Sequence, residues 1–229
     1  MNKRRIIIVD DHPMFRDALR QSISVGSDEI EILEAGELTE LTDTLGQTTD
    51  VDLLLLDLTI PGVRGFSGLL LLRAQYPEIP VVIVSAREDA RTVKRCIEIG
   101  ASGYIPKSLP VDDIRTAVST VLNGEIWVPS EYDLAVDSDT LEDDIVTRLT
   151  KLTPQQVRVL VMLGEGLLNK QIAHRLDISE ATVKAHVSAI FQKLDVDSRT
   201  QAVITINSID RKDWQDSQVP RFEPTDSEQ

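Results

Sequence analysis

The chain has 229 residues, with 24 lysines and arginines against 38 aspartates and glutamates and 41% hydrophobic residues. A net charge of −14 and this much apolar mass fit one or two packed domains. The single cysteine, Cys96, excludes a disulfide framework and a cysteine-based zinc cluster and suits a reducing cytoplasm. The basic start at Lys3, Arg4 and Arg5 leads into Ile6 to Val9 and then Asp10, too short for a secretory signal or a membrane span, so a cytoplasmic location without membrane contact is expected.

Charge is unevenly spread. Residues 1 to 128 carry a net −7 and residues 129 to 148 a net −6, residues 149 to 212 carry +3, and the last segment, 213 to 229, carries −4. Only the third segment could face a polyanion. The division expected is a first domain over 1–125, an acidic linker over 126–148, a second domain over 149–212 and a disordered acidic tail over 213–229.

Within the first domain, apolar runs at Ile6–Val9, Leu53–Leu56, Val81–Val84 and Tyr104-Ile105 are continuous rather than alternating, the pattern of parallel strands buried on both faces. A fifth, more amphipathic run at Ile30–Leu33 belongs near an edge. Helical windows fall at 13 to 25, 38 to 46, 66 to 75, 89 to 99 and 111 to 123. Five successive strand-helix units predict a doubly wound α/β domain with a five-stranded parallel sheet.

Beyond the linker the periodicity is helical only. Thr153-Pro154 starts one helix, with Val157, Leu160, Val161 and Leu163 as its buried stripe, and Gly164 and Gly166 end it. Asn169 is expected to cap a short second helix. After Asp177-Ile178, Ser179 caps a third helix, buried through Val183, Val187, Ile190 and Leu194; so short a connection makes a helix-turn-helix. A fourth helix is expected from Ser198 to Asp210.

Polar residues follow the apolar runs at matching places: Asp10 and Asp11 after the first strand, Asp57 after the third, Ser85 at the fourth and Lys107 at the fifth. The carboxyl ends of such strands share one rim, so these residues converge. Each alone is an ordinary polar cap; together they describe a site. Clustered carboxylates call for a hard cation, and an oxygen-rich site suits Mg²⁺. With Asp57 as nucleophile, Mg²⁺ and Lys107 on the equatorial oxygens and the Ser85 hydroxyl donating to one of them, such a rim can hold a phosphoryl group. Pro61-Gly62 then turns the chain and leaves the Asp57 carboxylate at the rim.

On the third helix of the second domain, the face opposite the buried stripe displays Ala181, Lys184, Ala185, Ser188 and Gln192. Small residues there let a backbone come close, and the polar ones can read base edges, while Lys170 and Thr182 can hold phosphates. A solvated helical bundle is the plain alternative, because +3 is a weak basic signal. His12, His174 and His186 do not cluster in sequence and read as helix-start or packing residues. Cys96 reads as core, and Trp127 as packing at the start of the linker.

Residues 5 to 123 resemble a response-regulator receiver domain, with the acidic pair at Asp10-Asp11, the phosphoacceptor at Asp57 in LLLLDLTIPG, the hydroxyl at Ser85 in VVIVSA and the lysine in GASGYIPKS. The resemblance implies a flavodoxin-like fold. It implies Mg²⁺ held by Asp11, Asp57 and the carbonyl of Thr59, with Asp10 acting mainly through water. It also implies that Tyr104 is an aromatic switch that turns inward on phosphorylation, and that Thr59 and Arg87 sit where phosphate lifetime is tuned. Ile60 and Pro106 depart from the usual pattern without touching the chemistry. A haloacid-dehalogenase-type phosphatase would need an aspartate at Thr59 and is set aside. Residues 149 to 206 resemble the LuxR-type DNA-binding domain, with Gln156 in place of the common glutamate and Leu168 in place of a serine. Gln156 is expected to lose a buried polar contact, and Leu168 a phosphate contact. The order of the two domains marks the NarL/FixJ class of response regulators. It implies a phosphoprotein that takes its phosphoryl group from a sensor histidine kinase, catalyses nothing beyond that acceptance and its own dephosphorylation, dimerises and binds promoter DNA. The linker or the acidic receiver is expected to cover the recognition helix at rest. A signalling adaptor that binds protein through its helical domain is the alternative.

Overall fold

In this computed structural model the residues described are 3–24, 29–61, 65–132 and 141–206, the last from its backbone alone over 141–143. Strand β1 (Arg4–Val9) runs parallel to β2 (Ile30–Ala35) on one side and β3 (Leu53–Leu56) on the other; β4 (Val81–Ser85) and β5 (Gly103–Pro106) continue the sheet in the order β2-β1-β3-β4-β5. The edge position expected for Ile30–Leu33 is where β2 lies, and its burial is correspondingly partial.

Alternation along the buried strands splits the core in two. Ile6, Ile8, Leu53, Leu55, Val82, Val84 and Ile105 face α1 (Pro13–Ser24) and α5 (Val111–Leu122) through Leu19, Ile23, Ile114, Ala117 and Val121. Ile7, Val9, Leu54, Leu56, Ile83 and Tyr104 face α2 (Leu38–Gln47), α3 (Ser67–Gln75) and α4 (Ala90–Glu98). The continuous apolar runs are thus buried on both sides, as a parallel sheet under two helical layers requires.

Residues after the fifth helix stay on the sheet edge. Trp127 forms a parallel bridge with Gly103, the Tyr104 N–H donates to the Trp127 carbonyl at 3.0 Å, and the Tyr132 hydroxyl donates to the Glu88 carbonyl at 3.0 Å. Trp127 therefore lengthens the sheet as well as packing near the linker start.

The acidic stretch expected to be linker holds a helix, α6 (Leu141–Thr150), whose Val146 and Leu149 are buried. Arg148 ties it to the end of the helix at Glu180–Leu194 by ion-pairing Asp195 at 3.1 Å and donating to the Leu194 carbonyl at 3.0 Å. Then follow α7 (Pro154–Gly164), α8 (Asn169–Leu176), α9 (Glu180–Leu194) and a helical run over 199–206. The α7 cap is the one expected, with Thr153 Oγ1 accepting from the Gln156 N–H. The α8 cap is not: Leu168 occupies the cap position and Asn169 is already helical, with Gln171 Oε1 accepting from the Leu168 N–H at 2.8 Å. Asp177 at φ 52° turns the chain, and Ser179 caps α9 by accepting from the Thr182 N–H at 3.0 Å. Gly62, the far end of the expected fourth helix and residues 213–229 lie outside the described residues.

The helical domain rests on the receiver-like domain through α7 against α3 and α6 against α4. Beside the first contact lies a cleft of about 800 Å³, lined in part by Leu38, Leu71, Tyr76, Met162 and Arg158.

Candidate functional site

Sheet register assembles the rim. Val9 pairs with Leu56, Leu56 with Ile83, and Ser85 with Pro106. The ladder continues one step further: the Asp57 N–H donates to the Val9 carbonyl and the Lys107 N–H to the Ser85 carbonyl, both at 2.8 Å, and the Asp10 N–H to the Ala35 carbonyl at 3.1 Å. Asp10, Asp57, Ser85 and Lys107 are therefore placed by main-chain bonds, and the first three are almost fully buried.

Lys107 Nζ lies between two carboxylates, 2.8 Å from Asp57 Oδ2 and 2.7 Å from Asp10 Oδ2, and 4.6 Å from the centre of the Phe15 ring. Burial pulls its ammonium downward, but its pairing with the Asp10 and Asp57 carboxylates outweighs that and leaves it above the ordinary lysine value. The charge of Lys107 is thus secured at neutral pH. Thr59 Oγ1 donates to Asp57 Oδ2 at 3.0 Å, and its N–H reaches Oδ1 at 3.3 Å. Ser85 Oγ accepts from the Arg87 N–H at 3.2 Å.

Asp11 stands exposed at the mouth. His12 Nδ1 is 2.7 Å from Asp11 Oδ1 and 3.1 Å from Asp10 Oδ1. Asp10, Asp11, His12 and Asp57 each offer one atom, all within 4.8 Å of one another. Asp10 Oδ1 accepts from the His12 N–H at 2.8 Å, and Oδ2 ion-pairs with Lys107 Nζ at 2.7 Å. Carboxylate oxygens gathered this closely favour a cation, so the acidic pocket fits a hard divalent ion such as Mg²⁺.

Tyr104, the residue expected to act as a switch, is fully buried, its hydroxyl donating to the Arg87 carbonyl at 2.6 Å. Burial raises its phenol far above the ordinary tyrosine value, with the neighbouring Cys96 adding to the rise. Its partner across the sheet is Ile83 of β4.

In the helical domain, Ala181, Thr182, Lys184, Ala185, Ser188 and Gln192 are all exposed on α9, and Lys170 is exposed in the first turn of α8. Lys184 Nζ pairs with Glu180 one turn earlier at 3.1 Å. Among the described residues the receiver does not cover this surface, α6 and α7 being the helices that dock; of the linker expected to lie near it, residues 133–140 are outside the described residues. Gln156 also differs from expectation. It keeps a buried polar contact, its Oε1 accepting from Lys193 Nζ at 2.8 Å and from the Thr153 N–H at 3.0 Å.

Two contacts were not drawn from the sequence. His12 read as a helix-start residue, which it also is, since its carbonyl accepts from the Phe15 N–H; its place directly after two aspartates was the missed signal. Thr59 was expected to act through its carbonyl, and its hydroxyl bond to Asp57 follows from the turn after β3.

A rim of this kind on a flavodoxin-like sheet, joined to a helix-turn-helix, defines a two-domain regulator. Residues 6–119 match the response regulator receiver domain family, and residues 150–206 the luxR family of bacterial regulatory proteins. The chain is 42% identical over 212 residues to a glycerol metabolism activator of Pseudomonas putida, spanning 90% of this chain and 96% of the relative. It is 34% identical over 208 residues to the nitrate/nitrite response regulator protein NarL of Escherichia coli K12, spanning 88% and 94%. Among solved structures, two RcsB dimers bound to two parallel DNAs share the fold at a TM-score of 0.54 and 20% identity, over 90% of this chain and 99% of that one. The chain belongs to the NarL/FixJ class of response regulators. No helix among the described residues is long and apolar enough to cross a membrane.

Proposed function

We propose that this response regulator accepts a phosphoryl group on Asp57 from a sensor histidine kinase in the cytoplasm and, as a dimer, binds double-stranded promoter DNA. The observation that carries this reading is the lysine ammonium held within 3 Å of both Asp57 and Asp10 at a rim that also presents the Ser85 hydroxyl. An Asp57 carboxylate oxygen attacks the phosphorus of the donor phosphohistidine; an O–P bond forms, the P–N bond breaks, and the departing imidazole takes a proton from water. Lys107 offsets charge on the transferred group, and Ser85 donates to one of its oxygens. Asp10, Asp11, Asp57 and the Thr59 carbonyl would hold Mg²⁺. The bound ion supplies charge neutralisation for the phosphoryl oxygens.

The working units are 1–125, the acidic segment 126–148, a DNA-binding domain over 149–212 and the tail 213–229. Lys170 and Thr182 hold DNA phosphates, while Lys184, Ala185, Ser188 and Gln192 enter the major groove. For Lys184 this means exchanging Glu180 for DNA. The name of the 42% identical relative supports an activating output. The protein-binding adaptor is disfavoured by the luxR family match and the uncovered polar face of α9.

Phosphate incorporation from acetyl phosphate with Mg²⁺, read by intact mass, tests the first half. Asp57→Asn is expected to abolish it while the fold survives, and equal incorporation in the variant would remove Asp57 as the acceptor. Lys184→Ala tests the second, with specific DNA affinity expected to fall by about 1 to 3 kcal/mol and phosphorylation unchanged. Unchanged binding to the best genomic site would take Lys184 off the recognition surface.

A further inference from the structure

The cleft between the two domains has unlike walls. On the receiver side Leu38, Leu71 and Tyr76 present apolar surface. On the other side α7 and its C-cap turn Arg158, Met162 and Glu165 toward the space, four and three residues apart and so on one helix face. Glu165 is already paired, its Oε2 accepting from Arg175 Nη1 at 2.9 Å. Arg158 is half-buried and makes no hydrogen bond or ion pair among the described residues. A partly desolvated guanidinium without an anion costs free energy, which a carboxylate next to an aromatic ring would recover. The cleft, about 800 Å³, has room for such a group with its neighbours.

The place where the described chain stops brings that group close. Ile206 is buried at the end of α7, where a Cβ on Gly164 would lie 3.7 Å from Ile206 Cγ2, and Gly164 falls between Met162 and Glu165 of the cleft wall. Residues 207–229 therefore set out from the edge of the cleft. Asp213-Trp214-Gln215-Asp216 begins seven residues beyond Ile206, a span of at most about 25 Å. It joins an aromatic side chain to two carboxylates, whereas Phe222, the other aromatic residue of 207–229, sits between Arg221 and Glu223, whose charges cancel. We propose that residues 213–216 bind in this cleft as an intramolecular strap, with Trp214 against Leu71, Tyr76 and Met162 and the Asp213 and Asp216 carboxylates on Arg158. The strap bridges the α3–α7 contact and ties the helical domain to the receiver, independently of the chemistry at Asp57. Covalent linkage makes the association unimolecular: at a millimolar effective concentration, an isolated affinity of about 0.1 mM gives an occupancy of about nine-tenths.

The test uses the full chain carrying Trp127→Phe, which leaves Trp214 as its only tryptophan. Its emission is expected at shorter wavelength, and its quenching by acrylamide about threefold weaker, than in a peptide of residues 207–229. Arg158→Glu should restore peptide-like quenching. Adding Asp213→Lys and Asp216→Lys to that variant should bring the protection back, a recovery that a misfolded chain would not show. A second readout needs no change at Trp127: in the wild-type chain, phenylglyoxal should modify Arg158 about fivefold faster once residues 211–229 are removed, as located by peptide mapping. Equal quenching of Trp214 in the chain and the peptide, together with equal modification of Arg158 at both chain lengths, would overturn the strap. Protection that vanishes on about a hundredfold dilution would assign the cleft to a second copy of the chain and overturn it as well. Loss of protection in Arg158→Glu without recovery in the charge swap would overturn the pairing with Arg158.

Discussion

At Gln156 a neutral amide steadies the start of α7. Its Oε1 takes hydrogen bonds from Lys193 Nζ and from the Thr153 N–H at the start of α7. Gln156→Glu places negative charge at a helix N-terminus and beside an ammonium, and is expected to stabilise the chain by about 0.5 to 1 kcal/mol. A denaturant midpoint that fails to rise would show that desolvation of the new carboxylate cancels the gain. Three further residues set an alkaline limit. Burial pushes the Cys96 thiol up, against the opposing charge of Arg87; burial also raises Tyr104; and Lys107 ends above its usual value through Asp10 and Asp57. In each case the folded chain keeps a proton that the unfolded chain releases. Their contribution is present below the unfolded values and is lost as pH climbs toward the folded ones, so melting temperature should decline steadily above about pH 9. A flat profile from pH 8 to 11 would contradict this sign. The same burial predicts that iodoacetamide at pH 8 labels Cys96 far more slowly in the native than in the denatured chain.

Elements were legible in proportion to how plainly their burial showed in the apolar pattern. The continuous runs of β1, β3 and β4 could mean only strands covered on both faces, and the rim residues followed from where those runs stop. α6 was obscured by its own acidity. Val146, Leu149 and Leu152 form an i, i+3 stripe, but Glu142, Asp143 and Asp144 made the segment look like solvated linker. Leu149→Ala should therefore cost about 2 to 4 kcal/mol, a core-sized penalty that a true linker would not show in chemical denaturation. The α8 start was misplaced by one residue because Asn169 is the better cap by type, while the chain instead lets Gln171 satisfy the Leu168 N–H. At β5 the strap over Trp127 leaves no space for a side chain: a Cβ on Gly103 would sit 2.8 Å from the Trp127 carbonyl oxygen. Gly103→Ala should cost about 1 to 3 kcal/mol and loosen residues 126–128, seen as faster amide exchange at Tyr104, whose N–H donates to that carbonyl.

At the scale of the whole molecule, the two domains meet through α3 and α7 and through α4 and α6, with an open cleft alongside. The face of α9 proposed to read DNA is exposed in this arrangement. Among the described residues the receiver does not cover it, so under the proposed function a gain in DNA binding on phosphorylation comes from pairing two copies, whose sites add through effective concentration. The unphosphorylated full chain and a fragment beginning at Leu141 should bind a single half-site within about twofold of each other, while a two-half-site fragment should separate phosphorylated from resting protein. A fragment that binds the half-site more than about tenfold tighter would show obstruction by the receiver. Under the same proposal, the energy to shift the population comes from contacts of the phosphoryl group with Ser85 and Lys107.

The run Leu53–Leu56 carries a less visible burden. Four identical side chains hold no positional information, so nothing within β3 tells one alignment from the next. Its ends do: the Asp52 N–H donates to the Arg5 carbonyl while Asp52 Oδ2 accepts from the Arg5 N–H, and the Asp57 N–H donates to the Val9 carbonyl. Deleting any one leucine yields the same shortened sequence, and that protein must draw one of these two aspartates into the strand. If Asp52 keeps its place, Asp57 moves one step inward and its carboxylate crosses to the opposite face of the sheet. If Asp57 keeps its place, the acidic rim survives and the bottom of the sheet gives way. A single missing codon thus poses a choice between a stable protein with a broken rim and an intact rim on a fragile sheet.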